Sequence, residues 1–150
     1  MTWIVVLAAV LLTVVVLWAY FTAQRLNRLH IRTDSARLSL QASLDRRAAV
    51  VGALIPEASA TATEAESIPL EYGNFDRRAS VERAISAAIS ELEPQVPAQL
   101  IDADVRVQLA HRFYNEAVAD TRALRLQQPV RALRLGGTAD LPEFFEFSAL

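Results

Sequence analysis

The chain has 150 residues, a formal net charge of -2 and no cysteine. That length allows one domain, and the missing thiol excludes disulfides, thiolate metal sites, lipidated cysteine and a cysteine nucleophile. All fifteen basic residues are arginine, and they are unevenly placed: Arg25 to Arg47 holds six against Asp34 and Asp45, whereas Ala48 to Leu150 holds nine against fifteen acids. The one basic stretch borders the apolar N-terminal segment, where lipid phosphates account for it, so nucleic acid is not an expected partner.

Trp3 to Phe21, WIVVLAAVLLTVVVLWAYF, carries no charge and only Thr13 as an interrupting hydroxyl. As a helix these residues rise about 28 Å, the thickness of a hydrocarbon core, with every backbone group satisfied internally. Trp3 at one end and Trp18, Tyr20 and Phe21 at the other stand where headgroups are expected. A cleavable signal peptide is the rival, but a basic leader and a small-x-small site are missing, and Phe21 occupies the nearest candidate site. Residues 1–24 are therefore expected to anchor the chain in a membrane. Arg25, Arg28 and Arg32 follow the segment while only Met1 and Thr2 precede it. The positive-inside bias then predicts an outside N-terminus and a cytoplasmic C-terminal domain at the cell membrane.

From the anchor onward, Leu26, Leu29, Thr33, Ala36, Leu40, Leu44, Val51 and Leu54 recur in steps of mostly three and four, predicting one long amphipathic helix that stops before Pro56. Residues 56–75, poor in large apolar side chains and holding two prolines and Gly73-Asn74, read as a flexible linker. Asp76 to Glu93 reads as a short helix with Val81, Ile85, Ala88 and Leu92 on one side. Pro97 opens a second long helix to about Gln128, with Val105, Leu109, Phe113, Ala117 and Leu124 along one face and Pro129 as its stop. The expected fold is all-α: a transmembrane helix (1–24), then a helical domain (25–150) in which about three helices close an antiparallel bundle in up-down-up order, with a tail from 129 to 150.

Two stretches resemble the LemA family. The first is Asp34-x-Ala36, Leu40 and Leu44-x-Arg46-Arg47 on the helix after the anchor; the second and more specific is His111-Arg-Phe-Tyr114-Asn115-Glu-Ala-Val-x-Asp120, followed by Leu124, Pro129, an arginine-leucine run and the aromatic-acidic Phe145-Glu146. The chain departs from the family pattern at Arg37, Gly52 and Thr121-Arg122 and has a shorter middle, so it is identified as a divergent, shortened member. The resemblance implies a membrane-anchored helical bundle with a cytoplasmic C-terminus, and a family without an established enzymatic activity.

The residues themselves offer little chemistry. His30 and Asp34, like His111 and Asn115, are four apart and share a helix face, but two histidines without a Glu-x-x-His motif read as ordinary helix-surface residues rather than metal ligands. A nucleophile elbow, a phosphate-binding glycine loop and a paired-carboxylate motif are all missing, so neither catalysis nor a cofactor is expected. Tyr114 is expected to pack with its hydroxyl at the core edge, and Asn115 to cap or bridge to a neighbouring helix. Phe144, Phe145 and Phe147 form an apolar tail that either folds back or meets a partner. The expected function is a membrane-tethered interaction module whose partners are lipids, another membrane protein or a second copy; a small-ligand sensor or transport accessory binding between the helices is the alternative.

Overall fold

The structure is a computed structural model that describes residues 1–147; residues 148–150 of the expected tail lie outside the described residues. The described residues are helical, turn or extended, with no strand among them.

Helix α1 runs unbroken from Thr2–Leu54, 53 residues, or about 80 Å at the rise of an α-helix. Its first part is the apolar segment, whose side chains stand free of the rest of the chain. Thr13 satisfies its own hydroxyl by donating to the Ala9 carbonyl at 2.8 Å, so the one hydroxyl in the middle of the segment needs no partner outside it. It is one helix long and apolar enough to cross a membrane. The helix ends where the residue before a proline is pushed out of the helical region: Ile55 has φ -123° and ψ 90°.

Past the apolar segment, α1 buries Leu26, Thr33, Leu40, Leu44, Arg47, Ala48 and Val51. The opposing helix α4, Ala98–Arg125, buries Leu100, Ala103, Val107, Ala110, Tyr114, Ala117, Thr121 and Leu124. These positions step by three and four in alternation, the seam of a coiled coil, and Val118 is buried beside that seam. The face drawn through Val105, Leu109 and Phe113 is therefore corrected: all three are exposed, although Ala117 and Leu124 are buried. Steps of four advance only 40° beyond a full turn, so such a row winds away from the core, whereas alternating threes and fours stay on it.

The expected linker is also corrected. After a 3-10 turn at Pro56–Ala58, helix α2 (Ser59–Ser67) folds back along α1, burying Ala58, Ala62 and Ala65. Small residues on both sides permit the approach: a β-carbon on Gly52 would lie 3.2 Å from the Ala62 β-carbon. The return to the core is pinned at Leu70, whose N–H donates to Gln41 and whose carbonyl accepts from Arg37 at 2.8 Å. The remaining turn uses Gly73 at φ 95°.

Helix α3 is Phe75–Ser90. The additional helix changes the parity of the bundle. A three-helix up-down-up path would set the two long helices parallel; with α2 adding a reversal, α1 and α4 are antiparallel. Arg32 meets Asp120 near one end of the pair, the Thr33 and Thr121 hydroxyls meet at 2.9 Å beside them, and Arg47 meets Asp104 at the other. A five-residue helix α5, Gln128–Ala132, then places Val130 against Leu26 and Leu124.

Candidate functional site

The second motif lies on α4, and the structure gives it a specific task. Residues 139–147 run extended and antiparallel to α4, held almost wholly through their backbone. Arg125 donates to the Ala139 and Asp140 carbonyls (2.6 and 2.8 Å), Arg122 to that of Pro142 (2.9 Å) and the Tyr114 hydroxyl to that of Glu143 (2.6 Å). Asn115 makes two bonds to one residue, accepting from the Phe145 N–H at 3.1 Å and donating to its carbonyl at 3.2 Å. His111 Nε2 also donates to the Phe145 carbonyl, which places its proton on that nitrogen.

An extended chain projects alternate side chains to opposite sides, so Phe145 and Phe147 turn inward while Phe144 and Glu146 turn out. Phe145 meets Phe75 edge-on at 5.4 Å, and Phe147 lies 5.0 Å from the His111 ring. The tail thus folds back onto its own bundle, and Phe145 and Phe147 are corrected as partner contacts because both are buried. Phe144 remains partly exposed, with the Arg122 guanidinium 5.7 Å above its ring. Tyr114 is fully buried rather than at the core edge, and Asn115 bridges to the tail rather than to a helix. Burial, together with the adjacent Tyr72 hydroxyl, pushes the Tyr114 phenol well above its ordinary value.

The first motif leads to a second construction. Arg46 points to solvent, but the Arg47, Arg78 and Glu82 side chains are 0% exposed. Glu82 bridges the two arginines, accepting from Arg47 Nη2 at 2.7 Å and from Arg78 Nε at 2.8 Å. Arg47 also donates to Asp104 (2.7 Å), and Arg78 to Asp45 (2.8 Å) and the Ile68 carbonyl (2.7 Å). Two guanidiniums and three carboxylates from α1, α3 and α4 thus form one connected network, and the Phe147 ring caps Arg47 at 5.4 Å. Arg47 sits at the next heptad step after Leu26, Thr33 and Leu40, and Arg78 and Glu82 are one helical turn apart on the buried face of α3. Reading the seam by register instead of hydrophobicity identifies all three.

The other singled-out residues are dispersed. Trp3, Trp18, Tyr20 and Phe21 are exposed along the apolar part of α1, followed by exposed Arg25, Arg28 and Arg32. Arg32 pairs with Asp120 at 2.9 Å on the surface, and exposed Asp34 lies 3.9 Å from Arg37. Leu44 is core. His30 is near the end of the bundle that adjoins the apolar segment, where burial and Arg125 lower its pKa against the opposing pull of Asp34. His111 faces the tail, so the two histidines are not brought together, and among the described residues no three metal-ligating side chains converge.

Two surface features remain. Ile101, Val105, Leu109 and Phe113 form a row on α4, each 52–57% exposed. Its first two members also line a groove of about 580 Å³ between the end of α3 and the start of α4, whose apolar wall includes Ile89, Val96 and Leu100 and whose polar lining is Ser86, Ser90, Glu93, Asp104 and Gln108. Comparison of the chain with protein-family models, with curated proteins and with solved structures gives no match.

Proposed function

We propose that the chain is a membrane-tethered helical interaction module without a catalytic role, a divergent and shortened LemA-like protein held at the cell membrane by residues 1–24. The observation that carries this reading is the exposed row Ile101, Val105, Leu109 and Phe113, which leaves four large apolar side chains about half in water on an otherwise well-seamed helix. The bundle interior is filled by its own side chains and by the tail, so the apolar surface left for recognition is on the outside. Arg25, Arg28 and Arg32, next to the apolar segment, support a cytoplasmic bundle and an outside N-terminus. Lipids and another membrane protein are the partners this reading implies.

The test is recovery of crosslinked partners from membranes by the full chain, by the chain with residues 1–24 exchanged for an unrelated anchor, and by the Val105→Asp/Leu109→Asp chain. A stoichiometric membrane protein recovered with either anchor and lost with the double substitution supports the module. Recovery that ignores the α4 substitutions removes it.

A second reading, a ligand sensor or transport accessory, is favoured by the groove at Ser86, Asp104 and Gln108. It has an apolar wall and a few convergent polar groups, as small-molecule sites do. A ligand there would raise the thermal stability of the wild-type chain but not of a Ser86→Trp chain.

A further inference from the structure

The surface under the tail has the properties of a peptide-binding groove. Every hydrogen bond from α4 to residues 139–147 goes to tail backbone, from Arg125, Arg122, Tyr114, Asn115 and His111. Side-chain selection comes from the two inward aromatics, Phe145 and Phe147, spaced by two residues. Backbone bonds for affinity with alternate side chains in pockets for specificity is how proteins bind extended peptides.

The tail reaches this groove through a short hinge. Residues 133–138 hold Arg134 at φ 50° and Gly137 at φ 63°, and Gly136 is close to Leu26 and Arg125. Pulled straight, residues 133–138 span roughly 20 Å, enough to cross to an abutting bundle whose helices are about 10 Å wide.

We infer that the groove on α4 takes residues 139–147 of a second copy in place of its own, so that two copies exchange tails. Tail from either source makes the same groove contacts, so exchange costs only those of the hinge: Leu135 against Leu26, Leu124 and Val130, and the turn bonds from Leu135 to Val130 and from Gly137 to Arg134. Linker entropy and local concentration decide the balance. The hinge lies against Leu26, just past the apolar segment, so copies sharing a bilayer hold their hinges at one height and their tails in register. This last step rests on the anchoring reading; the exchange itself does not.

The absence of native cysteine permits a direct test with two full-length copies carrying different tags and co-expressed. One carries Arg122→Cys and the other Phe144→Cys, positions that face each other across the tail and α4. A short bismaleimide is expected to join them into a dimer bearing both tags. Phe145→Ala/Phe147→Ala in the Phe144→Cys copy is expected to reduce that dimer by about tenfold or more, since both aromatics must seat in the recipient. Failure to form the dimer, while a single chain carrying both cysteines closes on itself under the same conditions, overturns the proposal. A dimer that survives the two alanines overturns it equally, because it reports collision and not exchange. Pelleting the membranes before crosslinking reads the anchor separately: dimer in the soluble fraction keeps the exchange and discards the bilayer register.

Discussion

Asn115 holds Phe145 as one strand holds another, its amide oxygen accepting from the Phe145 N–H at 3.1 Å and its amide nitrogen donating to the Phe145 carbonyl at 3.2 Å. Phe145 is fully buried, so its N–H finds no water if the amide is removed. Asn115→Ala is expected to cost about 2 kcal/mol of stability. Thermal unfolding of the full chain in detergent checks the cost. Hydrogen exchange locates it: the Phe145 amide should lose protection while those of α1 keep theirs. Asn115→Asp keeps the acceptor but removes the donor and adds a charge beside a carbonyl, so it should not rescue the tail.

Glu82 is the centre of the buried network, since its one carboxylate is shared by two fully buried guanidiniums. Glu82→Gln preserves shape and leaves Arg47 and Arg78 with Asp104 and Asp45 alone. Two guanidiniums then face two carboxylates that are partly solvated, and the amide in place of Glu82 sets a donor nitrogen against one buried guanidinium, so the expected loss is about 3 kcal/mol or more. Asp104→Asn, at a side chain with access to solvent, should cost less than half of that. Denaturant unfolding of both variants gives the comparison, and equal losses would contradict the assignment of Glu82 as the central member.

What the sequence conceals here follows from the size of the side chains. The end of α1 is legible because Pro56 acts through backbone sterics at Ile55, which no packing overrides. The working face of α4 is concealed because Ala103, Ala110, Ala117 and Thr121 hold half of its seam, so the larger Val105, Leu109 and Phe113 stand out in their place. Helix α2 is concealed for the same reason. A segment of alanine, serine, threonine and glutamate looks unable to bury anything, yet close approach to Gly52 lets Ala62 and Ala65 bury completely. Arg78 and Glu82 resemble solvated charges until Arg47, at a heptad position of α1, supplies their partner. The Tyr114-Asn115 pair was visible as a unit, but its partner, an extended tail thirty residues away, has no periodicity to announce it.

The exposed row on α4 separates stability from recognition. Val105 and Leu109 are 57% and 52% exposed, so Val105→Asp/Leu109→Asp removes little packing and is expected to change stability by less than about 1 kcal/mol. Its effect on partner recovery should be complete, because two charges in an apolar interface must be desolvated without a counter-ion. A melting temperature close to wild type together with loss of the crosslinked partner is the expected pair of results. Unfolding of the double variant would mean that the row packs against something within the chain.

Tyr114 gives the fold an alkaline limit. Its phenol is fully buried, donates to the Glu143 carbonyl, and is held above the ordinary value of 10.0 by burial and by Tyr72; Tyr72 is itself raised, mainly by burial. A pKa raised in the folded state means that the unfolded chain releases its proton first. Below pH 10 both states are protonated and the contribution is fully present; above it the unfolded state alone is progressively stabilised by ionising. Stability is therefore expected to fall as pH rises beyond 10, and tyrosinate absorbance from Tyr114 should appear only together with loss of helical signal. Tyr114→Phe deletes the group that ionises as well as its bond to the tail. That variant should be less stable at neutral pH yet show a shallower decline in the alkaline range, and a slope identical to wild type would assign the alkaline limit to other groups.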